Sequence, residues 1–182
     1  MAASGWTLKY LILLAVLLLN LAGCGMHERS GAVPPAREPR FDQADYRLVW
    51  PLPVSTTARV TSYFGTRKDP FTGLINFHTG VDLDGRHGDP VYAAGEGRVA
   101  WAGYRSGYGN LLILDHGWGL TSWYGHCESF NTKRGQPVRR GKIIAGMGDS
   151  GRASGVHLHF EVRKHGVPVD PFQLLPALKT LK

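Results

Sequence analysis

The 182-residue chain is 43% hydrophobic and 19% charged, ordinary values for a globular protein, and it is long enough for one well-buried domain with a short appendage. Its 24 glycines and 11 prolines, with turn signals about every ten residues, favour an all-β sandwich or barrel and argue against a helical fold. A formal charge of +7 points to an anionic partner (nucleic acid, a lipid surface or a cell-wall polymer) without choosing among them.

Lys9 precedes an unbroken apolar run over 10–19, which Asn20 ends. About ten residues are too few to cross a bilayer but suit the h-region of a signal peptide. Leu21-Ala22-Gly23-Cys24 then resembles a bacterial lipobox, which implies removal of residues 1–23 and acylation of Cys24 on its sulfur and its new amino group. Acyl chains of that number anchor a protein stably to a lipid membrane. Gly25 stands where an inner-membrane retention signal carries Asp, so the resemblance implies the periplasmic face of the outer membrane. Export argues against nucleic acid as the partner, and no nucleic-acid motif is present. Cys127 is left unpaired in the mature chain, so the fold has to be stable without an internal disulfide. Residues 24–50, rich in Pro, Arg, Glu and Gly, read as the lipidated N-terminus and a flexible tether; 51–176 form the domain and 177–182 a tail.

Within the domain, 59–64 alternates like an edge strand ended by Gly65, and a loop over 66–73 leads to His78. Gly80 and the β-branched Thr79 and Val81 argue against a helix between His78 and Asp82, so both should face one side of an extended segment and converge on one ion. Short β-rich runs follow over 90–94, 97–102, 110–115, 120–124, 137–138 and 142–145. Trp101 and Trp123 are expected in the core. The stretch 155–163 alternates strictly. Val156, Leu158, Phe160 and Val162 should face the core, leaving His157, His159, Glu161 and Arg163 on the outer face of a strand.

Seven segments, in order, resemble the M23 family of zinc peptidases, the lysostaphin and LytM type: Arg59-Val-Thr-Ser-Tyr-Phe-Gly-Thr-Arg-Lys-Asp-Pro-Phe-Thr-Gly, Phe77-His-Thr-Gly-Val-Asp, Pro90-Val-Tyr-Ala-Ala, Tyr108-Gly-Asn, Trp123-Tyr-Gly-His, Gly135-Gln-Pro-Val and His157-Leu-His-Phe-Glu-Val. The resemblance spans roughly residues 58–173 and implies an antiparallel β-sandwich or barrel, with a groove across one sheet and a substrate in the stem peptides or cross-bridges of peptidoglycan. It implies one Zn²⁺ held by His78, Asp82 and His159, with His126 and His157 as catalytic histidines that do not bind the metal. Two neutral imidazoles and one carboxylate suit zinc with an open fourth position. His157 is expected as general base and His126 as a donor to the developing oxyanion or a partner in proton transfer, roles that could be exchanged. Arg67, Tyr104, Tyr108 and Trp118 flank the site as candidate substrate-binding walls. Asp84, His87, His116 and His165 match no catalytic position, although Asp84 or His116 could orient a ligand. Cys127, where the family often has Leu, reads as a buried thiol.

Two function classes follow. One is a membrane-anchored, zinc-dependent peptidoglycan endopeptidase, a D,D-endopeptidase cutting stem-peptide cross-links, with which a regulatory protein partner is compatible. The other is a non-catalytic M23-like regulator that activates a cell-wall amidase. All five metal and catalytic positions are filled, which favours the enzyme.

Overall fold

The computed structural model describes residues 48–52 and 60–175; the expected signal peptide, Cys24, most of the tether and the tail lie outside the described residues. The described residues form twelve strands: β1 (Val60–Ser62), β2 (Gly65–Lys68), β3 (Ile75–His78), β4 (Val81–Asp84), β5 (Pro90–Tyr92), β6 (Gly97–Arg105), β7 (Gly109–Asp115), β8 (Leu120–Phe130), β9 (Pro137–Val138), β10 (Ile143–Met147), β11 (His157–Lys164) and β12 (Val167–Val169). A 3-10 turn, Pro171–Gln173, follows. Ten strands join one antiparallel sheet in the order β1-β4-β11-β8-β7-β6-β9, with β10 pairing both β5 and β8, and β12 pairing β11. Strands β2 and β3 make a separate hairpin. The all-β, antiparallel expectation is met.

Period-two alternation in the long strands builds the core. Leu158, Phe160 and Val162 of β11 are fully buried beside Val81 and Leu83 of β4, Tyr124 of β8, and Leu112 and Leu114 of β7. Leu48, Trp50 and Leu52, at the expected boundary near 50, are buried in the same cluster. The Val49 N–H donates to the Ala94 carbonyl and the Tyr92 N–H to that of Pro51, so residues 48–52 pack as one with the domain. Strand β8 changes partners along its length: it pairs β11 as far as Gly125 and β10 from Cys127 onward. Its register with β7 shifts between the Asn110 and Leu112 pairings, and His126 takes a φ of 60°. A bulge at a strand corner re-aims one side chain out of the alternation, and here that side chain is His126.

Three local expectations change. The stretch read as a loop, 66–73, contributes most of β2, because Gly65 at φ 112° turns the chain into a new strand that pairs with β3. His78 and Asp82 lie on different strands, β3 and β4, and they converge because the chain crosses from hairpin to main sheet at Thr79-Gly80. Trp101 is 40% exposed while Trp123 is buried, because Trp101, Ile113, Trp123 and Glu161 are cross-strand neighbours on the outer face, and only the inner part of that face is covered.

The crossing at Gly80 leaves no room for a side chain: a Cβ there would sit 2.4 Å from the Phe160 carbonyl oxygen and 2.8 Å from Cγ of Glu161. Gly80→Ala therefore has to push β4 from β11, and its denaturant midpoint should fall by an amount equivalent to about 1–3 kcal/mol. An unchanged midpoint would show that the crossing is looser than described.

Candidate metal centre

His78 comes from the end of β3, Asp82 from β4 and His159 from β11, where the register pairs His159 directly with Asp82. All three are buried. Nδ1 of His159 lies 2.9 Å from Asp82 Oδ1, Nε2 of His78 lies 3.1 Å from the same oxygen, and the two ring nitrogens are 3.1 Å apart. Among the described residues they are the one group of three His, Cys, Asp or Glu side chains able to hold a metal ion. Three donors on one tetrahedral ion with bonds of about 2.0–2.1 Å are separated by roughly 3.3 Å, so the triangle is close to the required size.

The other ring nitrogens settle which lone pairs are free. His78 Nδ1 is 2.8 Å from the Tyr63 carbonyl, so Nδ1 carries the proton and Nε2 is bare. His159 Nε2 is 3.0 Å from Glu161 Oε1, so Nε2–H donates and Nδ1 is bare. Two unprotonated nitrogens facing each other at 3.1 Å repel unless a cation lies between them. Without a metal that cation is a proton. Burial opposes charge on His159, yet hydrogen bonds and attraction from Asp82 and Glu161 raise its pKa to about 9. Burial likewise works against Asp82, and its contacts with the protonated His159 first and with His78 next outweigh it, holding the carboxyl well below the usual range. The residues thus fit a divalent cation such as zinc.

Glu161 is the residue that sequence reasoning missed. It was placed on the outer face of β11, but it has no exposure. Its Oε1 accepts from Thr79 Oγ1 at 2.5 Å, Tyr108 OH at 2.8 Å and His159 Nε2, and its Oε2 accepts from Arg163 Nε at 2.6 Å. Burial raises the pKa of the carboxyl, but its donors, His159 first and then Arg163, bring it down to about 2. The signal was in the sequence: His-x-His-x-Glu with period-two alternation puts all three polar groups on one face.

His126 and His157 stand beside the triangle, their ring centroids 4.7 Å apart. Nδ1 of His126 lies 2.8 Å from the Ser150 carbonyl and Nδ1 of His157 lies 2.8 Å from that of Gly155. Both neutral rings therefore leave Nε2 unprotonated, and Nε2 of His157 is 3.7 Å from Asp82 Oδ1. Burial, with the neighbouring histidines adding to it, lowers the His126 pKa to about 4 against the pull of the Ser150 carbonyl.

Of the four candidate wall residues, Arg67 and Tyr108 line the cleft over the triangle. Arg67 Nη2 approaches Asp82 Oδ2 at 3.4 Å, and the Tyr108 hydroxyl is engaged by Glu161 and Arg163. Tyr104 and Trp118 are exposed and outside the cleft lining. Trp118 lies in the β7–β8 turn, packed beside the β11–β12 turn through Gly119 and His165. That end of β11 is six residues from His159, on the order of 20 Å away along the strand. No hydrogen bond among the described residues joins Asp84 or His116 to the triangle; Tyr63 and Glu161 are the groups that hold the His78 and His159 rings. His116 is buried between the Glu96 carbonyl and Ser122 Oγ, and burial lowers its pKa. His87 reaches Glu128 at 3.4 Å, and His165 sits in the β11–β12 turn. Cys127 is the buried thiol expected, its pKa pushed up to about 12 by burial.

A buried triangle of two imidazoles and one carboxylate, flanked by two more histidines at the edge of an open cleft, has the layout of a metal-dependent hydrolase site. Residues 76–171, more than half of the chain, match the model of Peptidase family M23, and the chain belongs to that family. It is 38% identical over 113 residues to the DD-carboxypeptidase/endopeptidase Mpg of Neisseria meningitidis serogroup B, covering 62% of this chain and 26% of that protein. It is 42% identical over 113 residues to the lipoprotein NlpD/LppB homolog of Pseudomonas aeruginosa, covering 62% of this chain and 38% of the other. The chain thus aligns with well under half the length of these relatives. Among solved structures, a zinc-containing peptidase from Vibrio cholerae superposes with a TM-score of 0.66 at 36% identity, over 72% of this chain and 41% of that one.

Two outcomes follow. With its pKa at about 4 in the fold and 6.5 when unfolded, neutral His126 contributes stability that is complete above pH 6.5 and lost as pH falls toward 4. In chelator-treated protein, the fall in melting temperature between pH 6.5 and 4 should be shallower in His126→Gln than in wild type; equal slopes would contradict the assignment. For Glu161, loss of the acceptor at His159 Nε2 should weaken zinc binding by about 10–100-fold in Glu161→Ala, read by chelator competition.

Proposed function

We propose that the protein is a zinc-dependent peptidoglycan endopeptidase, anchored to the envelope through acylated Cys24, that cuts amide bonds in stem-peptide cross-links. The observation that carries this reading is the complete set of five groups in workable protonation states: His78, Asp82 and His159 with lone pairs converging, and His126 and His157 with bare Nε2 atoms beside them. Zinc held by the triangle would supply a Lewis acid for the scissile carbonyl and lower the pKa of water in its open position.

The protein's own groups handle the proton. His157 is assigned as the base, because its Nε2, where the proton would arrive, lies 3.7 Å from a carboxylate oxygen of Asp82. The resulting imidazolium can then give that proton to the leaving amine. His126, held neutral by burial with Nδ1–H committed to Ser150, accepts at Nε2 and orients the attacking water. Of the two roles read for His126 from the sequence, a part in proton transfer is the one favoured here, because donation to the oxyanion needs its protonated form, which burial opposes. Arg67 and Tyr108 stand at the walls and fit a polar peptide. The family membership and the names of the relatives support a cell-wall substrate, and the relative named as a lipoprotein supports envelope anchoring.

The test is digestion of purified cross-linked sacculi by zinc-loaded protein, with the released muropeptides identified by mass spectrometry. Wild type should release cross-link cleavage products, and His157→Ala or His126→Ala should lower turnover by roughly a hundredfold or more while retaining zinc. Absence of cleavage by wild type, together with stimulation of an amidase, would favour the regulator instead.

A further inference from the structure

The loop 148–156, between β10 and β11, carries both carbonyls that hold the catalytic histidines: Ser150 accepts from Nδ1 of His126 and Gly155 from Nδ1 of His157, each at 2.8 Å. Its first half is tied from within. Ser150 Oγ donates to the Cys127 carbonyl and accepts from the Asn110 N–H, and the Arg152 N–H donates to Gly107. In the middle, the Arg152 side chain crosses to the β2–β3 turn, where its guanidinium binds Asp69 in bidentate fashion at 2.7 and 2.8 Å and stacks over Phe71, 4.3 Å from the ring centroid. Asp69 is only 7% exposed, and its Oδ1 also accepts from the N–H groups of Phe71 and Thr72, so the anchor belongs to a fixed turn.

We propose that the Asp69–Arg152 pair is a positioning device for catalysis: it locks the loop whose two carbonyls set the tautomer and orientation of His126 and His157 together. The inference rests on the endopeptidase reading above for its consequence, though its geometry does not. A carbonyl can fix a ring only if it is itself fixed, and a displacement of about 1 Å at a reacting group can cost on the order of a hundredfold in rate. The planar guanidinium supplies two parallel bonds in one orientation, which constrains the loop more than a single ammonium contact could. The pair also joins two walls of the same cleft, since Asp69 and Arg152 both line it. A substrate-binding role for Arg152 is the competing account, and it makes a different kinetic prediction.

The experiment uses the full-length, zinc-loaded protein in detergent, comparing wild type with Asp69→Asn, Arg152→Lys, Arg152→Gln and the Asp69→Asn/Arg152→Gln double variant. Asp69→Asn keeps the turn acceptor and Arg152→Lys keeps the charge, so the fold survives in both. Ring ¹⁵N spectra should show Nδ1-protonated His126 and His157 in wild type and a mixture of tautomers in each variant, with zinc content unchanged. On a soluble cross-linked muropeptide dimer, kcat should fall about tenfold or more with little change in KM. The double variant should be no worse than the more severe single one. Wild-type tautomers and kcat in Arg152→Lys would overturn the proposal, as would a rise in KM alone, which would make Arg152 a substrate contact. The tautomer measurement needs no turnover, so a wild type inactive on every substrate would sink the endopeptidase reading and leave this one to be judged on the spectra.

Discussion

Glu161 is a carboxylate with no access to solvent, and the site is organised around it. Isolated in a β-sheet core, such a charge would be very costly; here four donors from three segments converge on it. Thr79 brings the crossing between β3 and β4 and Tyr108 the β6–β7 turn, while His159 and Arg163 flank the carboxylate on β11 itself. Because each donor has to reach the same two oxygens, the carboxylate fixes where those segments stand relative to one another. The same bond that satisfies Glu161 also settles the His159 tautomer, leaving Nδ1 free to act as a ligand. Folding and metal readiness are therefore one constraint on β11.

The outer face of that strand explains both what could be read in the sequence and what could not. Alternation in 155–163 places side chains on faces correctly, and it placed His157, His159 and Glu161 together. Alternation is silent on what covers a face. Thr79, Tyr108 and the β2–β3 hairpin fold over this one, so groups expected at a surface are buried; burial itself lowers the His126 pKa, whereas at His159 and Glu161 it is outweighed by the hydrogen bonds and opposite charges that the enclosure brings into contact. The hairpin was itself hidden because Thr66 to Lys68 carry no clear period beside the turn residues that follow. Trp118 was misplaced for a related reason: adjacency to a strand of the site says nothing about which end of the strand the loop occupies.

His126 was legible as a residue type in a motif, but its conformation was not. A non-glycine residue at φ 60° occupies a sparsely populated region and persists only where its surroundings over-determine it. The surroundings here are two-sided: the His126 N–H donates to the Tyr108 carbonyl and its Nδ1 to the Ser150 carbonyl, each at 2.8 Å. The β8 strand has to leave β11 and join β10 at this residue in any case, so the corner that the fold requires is used to aim an imidazole into the cleft.

A second buried histidine shows why burial alone does not make a ligand. His116 is as deeply enclosed as any group in the triangle, but both of its ring nitrogens are satisfied within the protein, Nδ1 by the Glu96 carbonyl at 2.6 Å and Nε2 by Ser122 Oγ at 2.7 Å, and Ser122 passes the chain on to the Tyr124 hydroxyl and the Ala94 N–H. Every member has a partner, so nothing is left to bind an ion, and the network serves to hold the 94–97 turn against the β7–β8 hairpin. In His78 and His159 one nitrogen is satisfied by the protein and the other faces a second lone pair. That shortage, at two rings sharing one carboxylate oxygen, separates a group able to hold a metal from a hydrogen-bonded core, and it follows from where the outward-facing nitrogens find their acceptors.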